Sequence, residues 1–230
     1  MKEYLVNTKR KSCSLKFVIT AGGEGIPITI AGYDPITPHT YYFKSLFLVS
    51  GREEIIMNWP QSPIFLKVTI SSDGPFTTDS IVLSPMEKPD FGEPWIDFIE
   101  KFSRYEGIYR PGIFYADNVP FRIMLVREIY TDSGEVHNTP ARIGVDNDDI
   151  EVSKSKFDAY SVPERIMILT HEVSHNFINI DPDSEGESDM NGKAIYERLG
   201  YPKIEAMYAF SSILSDTDEN VQRMLNFINS

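Results

Sequence analysis

Apolar and polar residues alternate over the first 85 positions in short runs that are typical of β-strands. The runs are rich in β-branched and aromatic side chains, and clusters of Gly, Pro, Asn or Asp separate them. They cover residues 15–20, 26–30, 41–49, 54–57, 64–70 and 80–83. Repeated short strands with turns between them favour layers of antiparallel sheet. We therefore predict an N-terminal antiparallel β-sandwich over residues 1–87.

A Pro-rich, weakly patterned segment over residues 84–94 follows this half and indicates a domain boundary. Apolar residues then recur with helical spacing, at Trp95, Ile96, Phe98, Ile99 and Phe102. This spacing predicts an amphipathic helix of about ten residues that ends at Gly107. The second domain is expected to span residues 95–230, and the fold class is α+β.

Short strands and turns are predicted between this helix and residue 150. Residues 113–115, 121–130 and 142–145 have strand-like patterns. The acidic run 146–149 lacks the glycine and the ligand order of an EF-hand calcium loop. A solvated turn is the favoured interpretation of this run, with a calcium site as the alternative.

The C-terminal third of the chain is predicted to be helical. Ser161-Val-Pro-Glu164 is a capping-box pattern with proline in the first helical turn, and it predicts a helix that continues to about Asn179. A second helix follows and ends at Gly200. Two further helices over residues 201–214 and 218–229 are expected to serve as scaffold.

Charge and composition limit the possible partners. The formal net charge of −12 and the pI near 4.8 argue against a nucleic acid or an anionic membrane as the partner. The single cysteine, Cys13, allows no intrachain disulfide. No apolar stretch has the length of a membrane span, and the N-terminus lacks the apolar run of a signal peptide. We therefore expect a soluble protein that is located in the cytoplasm or within a viral particle.

Two of the four histidines lie in the pentapeptide His171-Glu172-Val-Ser-His175, within the capped helix. Residues i and i+4 of a helix point in the same direction, so both imidazoles can bind one Zn²⁺ while Glu172 lies beside it. The helix is apolar on nearly every side, and buried histidines and a buried glutamate require partners. The sequence therefore predicts a zinc site with His171 and His175 as ligands.

A hydrolytic zinc site needs a third protein ligand, and three acidic residues are candidates. Asp181 lies six residues after His175, where one family of zinc proteases places an aspartate or a histidine. That arrangement needs a glycine at position 178 for the sharp turn, and this chain has Ile178. The other two candidates, Glu185 and Glu187, lie in the following helix.

Helical geometry distinguishes between these two glutamates. At about 100° per residue, Glu185, Asp189 and Gly192 share one stripe, and Glu187 points away from it. Gly192 allows this stripe to approach the first helix closely. We favour Glu185 as the third ligand, and we expect Asp189 to accept the free N–H of a zinc-bound histidine. Glu187 and Asp181 remain alternatives.

The pentapeptide HEVSH, followed by a second helix with Glu185 and Asp189, resembles the gluzincin clan of zinc metallopeptidases. The compact segment EGESD, with Ala194 and Leu199-Gly200 after it, is similar to soluble relatives of the CAAX-prenyl-protease type. The resemblance covers about residues 140–215. The chain has Ser188 at a position where such helices usually have alanine.

This resemblance implies a zincin-like metallopeptidase domain with a C-terminal helical part. Zinc held by His171, His175 and Glu185 lowers the pKa of its bound water and polarises the scissile carbonyl. Glu172 is the general base, which takes the proton of the water and passes it to the leaving amine. The strand at 142–145 resembles the edge strand beside the cleft of zincins, where a peptide can bind by β-augmentation.

Members of this clan also use a histidine or a tyrosine to stabilise the oxyanion. The residues available for this role are His137, Tyr160, Tyr196, Tyr201 and Tyr208. The sequence does not choose among them, and packing or exposure is the favoured interpretation of each.

The expected function is that of a zinc-dependent endopeptidase acting on polypeptide substrates. The N-terminal β-domain would bind substrate or dock the chain to a larger assembly. The alternative is a structural or assembly protein that retains a zincin domain as a scaffold. The general residue pattern of the β-domain, without a specific motif, resembles tail- or connector-associated proteins of tailed bacteriophages. This resemblance supports the alternative. The peptidase is favoured, because every residue that the chemistry needs is present.

Overall fold

The computed structural model describes residues 1–37, 41–87, 92–104, 110–144, 147–201, 203–213 and 218–229. The chain divides into two compact units, and we call them the first and the second unit. The first comprises Met1–Pro89 with Leu199–Glu205, and the second comprises Asp90–Arg198 with Ala206–Ser230. The predicted helix end at Gly107 and the predicted strand end at residue 145 lie outside the described residues.

The first unit is built mainly of β-strands, most of which alternate between buried and more exposed positions. The strands are β1 (Lys2–Asn7), β2 (Cys13–Ala21), β3 (Ile26–Tyr33), β4 (Tyr41–Val49), β5 (Arg52–Trp59), β6 (Phe65–Ser71) and β7 (Phe76–Pro85). The described pairings in this unit are antiparallel. This alternation buries one face of each sheet.

These strands form two sheets, with the orders β1-β6-β3-β4 and β5-β2-β7. The sheets contact each other where Trp59 of the second lies against Gly32 of the first. A Cβ added to Gly32 would come within 2.8 Å of the Trp59 Nε1. The apolar core includes Leu15, Phe17, Ile28, Ile30, Leu66 and Val68. The predicted antiparallel β-structure at the N-terminus is therefore confirmed.

Strand β1 was not among the strands that the sequence pattern predicted. It pairs with β6 over its whole length, from Lys2 opposite Ile70 to Asn7 opposite Phe65. Its apolar signal is weak because it lies at the end of its sheet, where Leu5 is still 65% exposed.

The second unit contains a small mixed sheet. Its strands are β8 (Gly112–Phe114), β9 (Ile123–Val126), β10 (Ala141–Ile143) and β11 (Ile150–Ser153), in the order β10-β11-β9-β8. Strands β11 and β9 are parallel, and the other two pairings are antiparallel. Strand β10 therefore forms one edge of the sheet as the structure describes it.

The structure also describes helices, and the α+β fold class is confirmed. They are α1 (Pro94–Arg104), α2 (Lys154–Phe157), α3 (Val162–Phe177), α4 (Glu185–Arg198), α5 (Lys203–Ile213) and α6 (Asp218–Asn229). Helix α3 contacts α1, α4 and β10, and its residues Ile166, Leu169 and Val173 are fully buried. In the part of the chain that the structure describes, no helix is both long and apolar enough to cross a membrane.

Two predictions for the second unit were only partly right. The strand predicted over residues 121–130 is present, but it covers only Ile123–Val126. The acidic run is not simply a solvated turn, because Asp149 is 3% exposed and accepts a hydrogen bond of 2.8 Å from Arg122 Nε. A second hydrogen bond, from Arg122 Nη2, completes a bidentate pair. These bonds lower the pKa of Asp149 below its ordinary value.

Candidate metal site

Helix α3 presents both histidines on one side. Ser161 caps its N-terminus, since Glu164 N donates to the Ser161 Oγ and Ser161 N donates to the Glu164 Oε2 at 2.6 Å. One helical turn separates His171 from His175, and their Nε2 atoms lie 3.2 Å apart. The predicted orientation of the two imidazoles is therefore present in the fold.

Helix α4 brings Glu185 to the same place. Its carboxylate oxygens lie 3.4 Å from the His171 Nε2 and 3.7 Å from the His175 Nε2. One ligand atom from each of these three residues lies within 4.8 Å of the others. This set of two imidazole nitrogens and one carboxylate oxygen could hold a metal ion. The position of α4 depends on Gly192, where an added Cβ would come within 3.0 Å of the His171 backbone N.

The second nitrogen of each imidazole lies close to an oxygen atom. The His175 Nδ1 lies 2.6 Å from the carbonyl oxygen of Pro182, to which it donates. The His171 Nδ1 lies 3.0 Å from the Asp189 Oδ1, the carboxylate that the sequence placed beside a histidine. When Nδ1 carries the proton, Nε2 offers a lone pair, so both rings direct a ligand atom towards Glu185.

The other two candidate ligands lie elsewhere. The Glu187 Oε2 accepts hydrogen bonds from the backbone N–H groups of Ile180, at 2.9 Å, and Asp181, at 3.3 Å. The Asp181 Oδ1 accepts a hydrogen bond from the Asp183 N at 3.1 Å. Both carboxylates organise the turn between α3 and α4, and the structure brings only Glu185 of the three candidates to the histidines.

A residue that the sequence did not indicate, Arg223 of α6, completes the cluster. Its Nε and Nη2 donate to the two oxygens of Asp189, each at 2.8 Å, and Nη2 also lies 2.9 Å from the Glu185 Oε2. The expectation that α6 is only scaffold is therefore wrong. No local pattern could have found this contact, because Arg223 lies 34 residues after Asp189 in the chain.

Glu172 lies between the histidine pair and the sheet. Glu172 and Ile143, on the edge strand β10, line the same cavity. Burial raises the pKa of Glu172, while the two histidines act in the opposite direction. A carboxyl group with a raised pKa is a better proton acceptor than an ordinary glutamate, as a general base requires.

Electrostatic interactions between neighbouring side chains shift the pKa values of His171 and Glu185. Burial disfavours the charged form of His171, but the carboxylates of Asp189 and Glu185 together outweigh it and raise the pKa of His171 to about 9. The hydrogen bond with His171 lowers the pKa of Glu185 to about 2, against the effect of burial. The Glu185 carboxylate is therefore ionised at neutral pH, as a metal ligand must be.

The cluster lies at the wall of a cavity of about 440 Å³. Both Arg142 and Ile143 of strand β10 line one side, and Met167, Ile168 and Phe210 provide apolar surface next to His171. The cavity therefore combines the edge strand β10 with apolar surface beside the candidate metal ligands.

Of the five residues considered for the oxyanion, only His137 lines this cavity among the described side chains. Tyr196 is fully buried, Tyr160 is half-buried, and neither lines the cavity. Tyr201 belongs to the first unit, and the side chain of Tyr208 lies outside the described residues.

Comparisons with known proteins add little to this geometry. No protein-family model matches the chain, and no curated protein matches it. A solved structure described as "CBM4 structure and function" has 15% identity and a TM-score of 0.30, over 36% of this chain and 59% of that chain. The chain thus matches less than two thirds of the length of that structure, and a likeness of this size carries no argument about function.

Proposed function

We propose that this chain is a zinc-dependent endopeptidase of the gluzincin type, similar to the compact relatives of the CAAX-prenyl-protease group. The main observation in support of this proposal is that His171, His175 and Glu185 lie close together. Glu172 lies next to His171 in α3 and lines the same cavity. A zincin-like domain over residues 95–230 would hold this site. The N-terminal β-domain would bind substrate or dock the chain to a larger assembly.

Each residue has a defined role in this proposal. His171, His175 and Glu185 would hold zinc, which when bound makes water a better nucleophile and polarises the scissile carbonyl. Glu172 takes a proton from the attacking water and passes it to the leaving nitrogen as the C–N bond breaks. Asp189 keeps the His171 ring in one orientation.

The peptide substrate would lie along β10. Ala141 and Ile143 direct their backbone groups away from β11, because Ser153 N donates to Pro140 O and Gly144 N donates to Asp149 O on the paired side. An extended peptide on this edge would pass next to Glu172, because Ile143 and Glu172 line the same cavity. The apolar surface of Met167 and Phe210 would contact a side chain near the scissile bond.

The test of this proposal is cleavage of an unfolded polypeptide, such as reduced casein, by zinc-loaded protein. We expect the wild-type chain to cleave it and Glu172→Gln to bind zinc but to lose at least a hundredfold in rate, because the proton acceptor is gone. Zinc-bound wild type that is as slow as Glu172→Gln on a broad peptide library would refute the peptidase.

A structural or assembly role is the second candidate, and one observation favours it. Strand β4 lies at an edge of its sheet and exposes Leu46 and Leu48, which are 56% and 73% exposed. An exposed apolar edge strand is a site where another chain can add. Sedimentation of the full chain decides between the roles: a large symmetric particle supports assembly, and an active monomer counts against it.

A further inference from the structure

The side chain of Arg223 connects α6 to two residues of the candidate metal site, Asp189 and Glu185. Its side chain is 16% exposed, and its guanidinium binds both oxygens of Asp189 and one oxygen of Glu185. Asp189 in turn lies against the His171 ring. The Arg223 guanidinium therefore contacts the candidate ligand Glu185 directly. It also reaches the candidate ligand His171 indirectly, through the carboxylate of Asp189.

Much of the described surface of helix α6 is exposed. Its outer side chains Val221, Leu225 and Ile228 are 54%, 47% and 38% exposed, and Phe227 is the described side chain of this helix that is fully buried. A helix of 12 residues has little stability of its own, so its packing decides whether it stays in place. Lys193 adds a hydrogen bond from α4, with its Nζ 3.0 Å from the Phe227 O.

We infer that Arg223 is a positioning residue for the metal ligands, and that through it the C-terminal helix α6 and metal binding stabilise each other. The inference rests on the metal site of the proposed function. Glu185 needs such a partner, because it is the first residue of α4 and its side chain is 48% exposed. Coupling of this kind is reciprocal: if α6 improves metal affinity, bound metal strengthens the attachment of α6.

The positive charge of Arg223 could instead repel a metal ion, and the arrangement of charges decides against this. The guanidinium forms a two-bond pair with Asp189, so the pair as a whole is close to neutral. The Glu185 carboxylate lies between the guanidinium and the histidine nitrogens. Loss of Arg223 should therefore disturb the positions of the metal ligands more than it relieves repulsion of the metal ion. Partners that orient metal ligands typically contribute about 10–100-fold to affinity.

The first measurement is zinc affinity of the full chain by competition with a chromophoric chelator. We expect Arg223→Met to weaken zinc binding about tenfold or more. Arg223→Lys should weaken it less, because it keeps the positive charge but cannot form the two parallel hydrogen bonds with Asp189. Lys193→Met is the matched control, because it also removes a buried cation between α4 and α6 but does not touch the cluster. We expect its zinc affinity to fall clearly less than that of Arg223→Met, because it loosens α6 but leaves the contact of Arg223 with Asp189 and Glu185 in place.

The second measurement is amide hydrogen exchange of residues 218–229 with and without zinc. Zinc should slow exchange in wild type and in Lys193→Met, and it should have little effect in Arg223→Met. Equal or tighter zinc binding by folded Arg223→Met and Arg223→Lys, or a zinc effect on α6 that survives in both, overturns the inference. Wild type that binds no zinc would overturn the proposed function instead.

Discussion

Substitution of Gly192 by alanine perturbs the site without changing any of its ligands. A Cβ at this position would lie 3.0 Å from the backbone N of His171, 3.1 Å from its Cα and 3.2 Å from the Met167 Cε. The methionine tip can move aside, but the backbone of α3 cannot, so α3 and α4 must separate by a few tenths of an ångström. Overpacking of this kind costs about 1–3 kcal/mol.

An opposing effect comes from helix propensity, because alanine stabilises a helix interior over glycine by about 0.5–1 kcal/mol. The steric cost is larger, so we expect Gly192→Ala to lose about 1 kcal/mol of unfolding free energy overall. Zinc affinity should fall more clearly, by about tenfold, because Glu185 is carried on the displaced helix while His171 stays on α3.

The assay is urea denaturation of the metal-free chain together with chelator competition for zinc. Gly186→Ala is the matched control, since Gly186 lies in the same helix and an added Cβ meets nothing within 4 Å. This control should keep wild-type zinc affinity and be as stable as wild type or slightly more so. A Gly192→Ala protein that gains stability and binds zinc normally would refute the close approach of the two helices.

Two further predictions concern charge. Because the pKa of His171 is raised to about 9, zinc must displace its proton, so affinity should rise about tenfold per pH unit from pH 7 towards 9 and then level off. Calorimetry in buffers of different ionisation enthalpy should detect about one proton released per zinc at pH 7 to 8, and affinity independent of pH would contradict the coupling. Arg122→Met should destabilise the fold above pH 5, because it removes the cation that is paired with the Asp149 carboxylate. The loss should fade as pH falls through the lowered pKa of Asp149, and urea denaturation with equal losses at pH 7 and pH 3 would contradict it.

Local physics explains why much of the site could be predicted from sequence. The capping box at Ser161 and Glu164 and the spacing of His171 and His175 depend only on residues within one helix. The choice of Glu185 over Glu187 followed from helical geometry alone. The structure brings Glu185 to the histidines, and it shows Glu187 binding backbone N–H groups of the preceding turn.

The parts that could not be predicted depend on contacts between distant residues. Arg223 reaches Asp189 across 34 positions, and Arg122 reaches Asp149 across 27, so neither pair has a local pattern. The strand predicted over residues 121–130 is short because its neighbours β8 and β11 offer only Gly112–Phe114 and Ile150–Ser153 as partners. Strand propensity does not predict the length of β9, since the neighbouring strands determine how many of its residues can pair.

The most direct test of the central claim is the zinc content of three proteins after dialysis against a weak chelator. The account predicts about one zinc per chain for wild type and for Glu187→Gln, and a clear loss for Glu185→Gln. These two variants remove the same carboxylate charge two residues apart on one helix. Wild type without zinc, or zinc lost from Glu187→Gln and kept by Glu185→Gln, would contradict the proposed site.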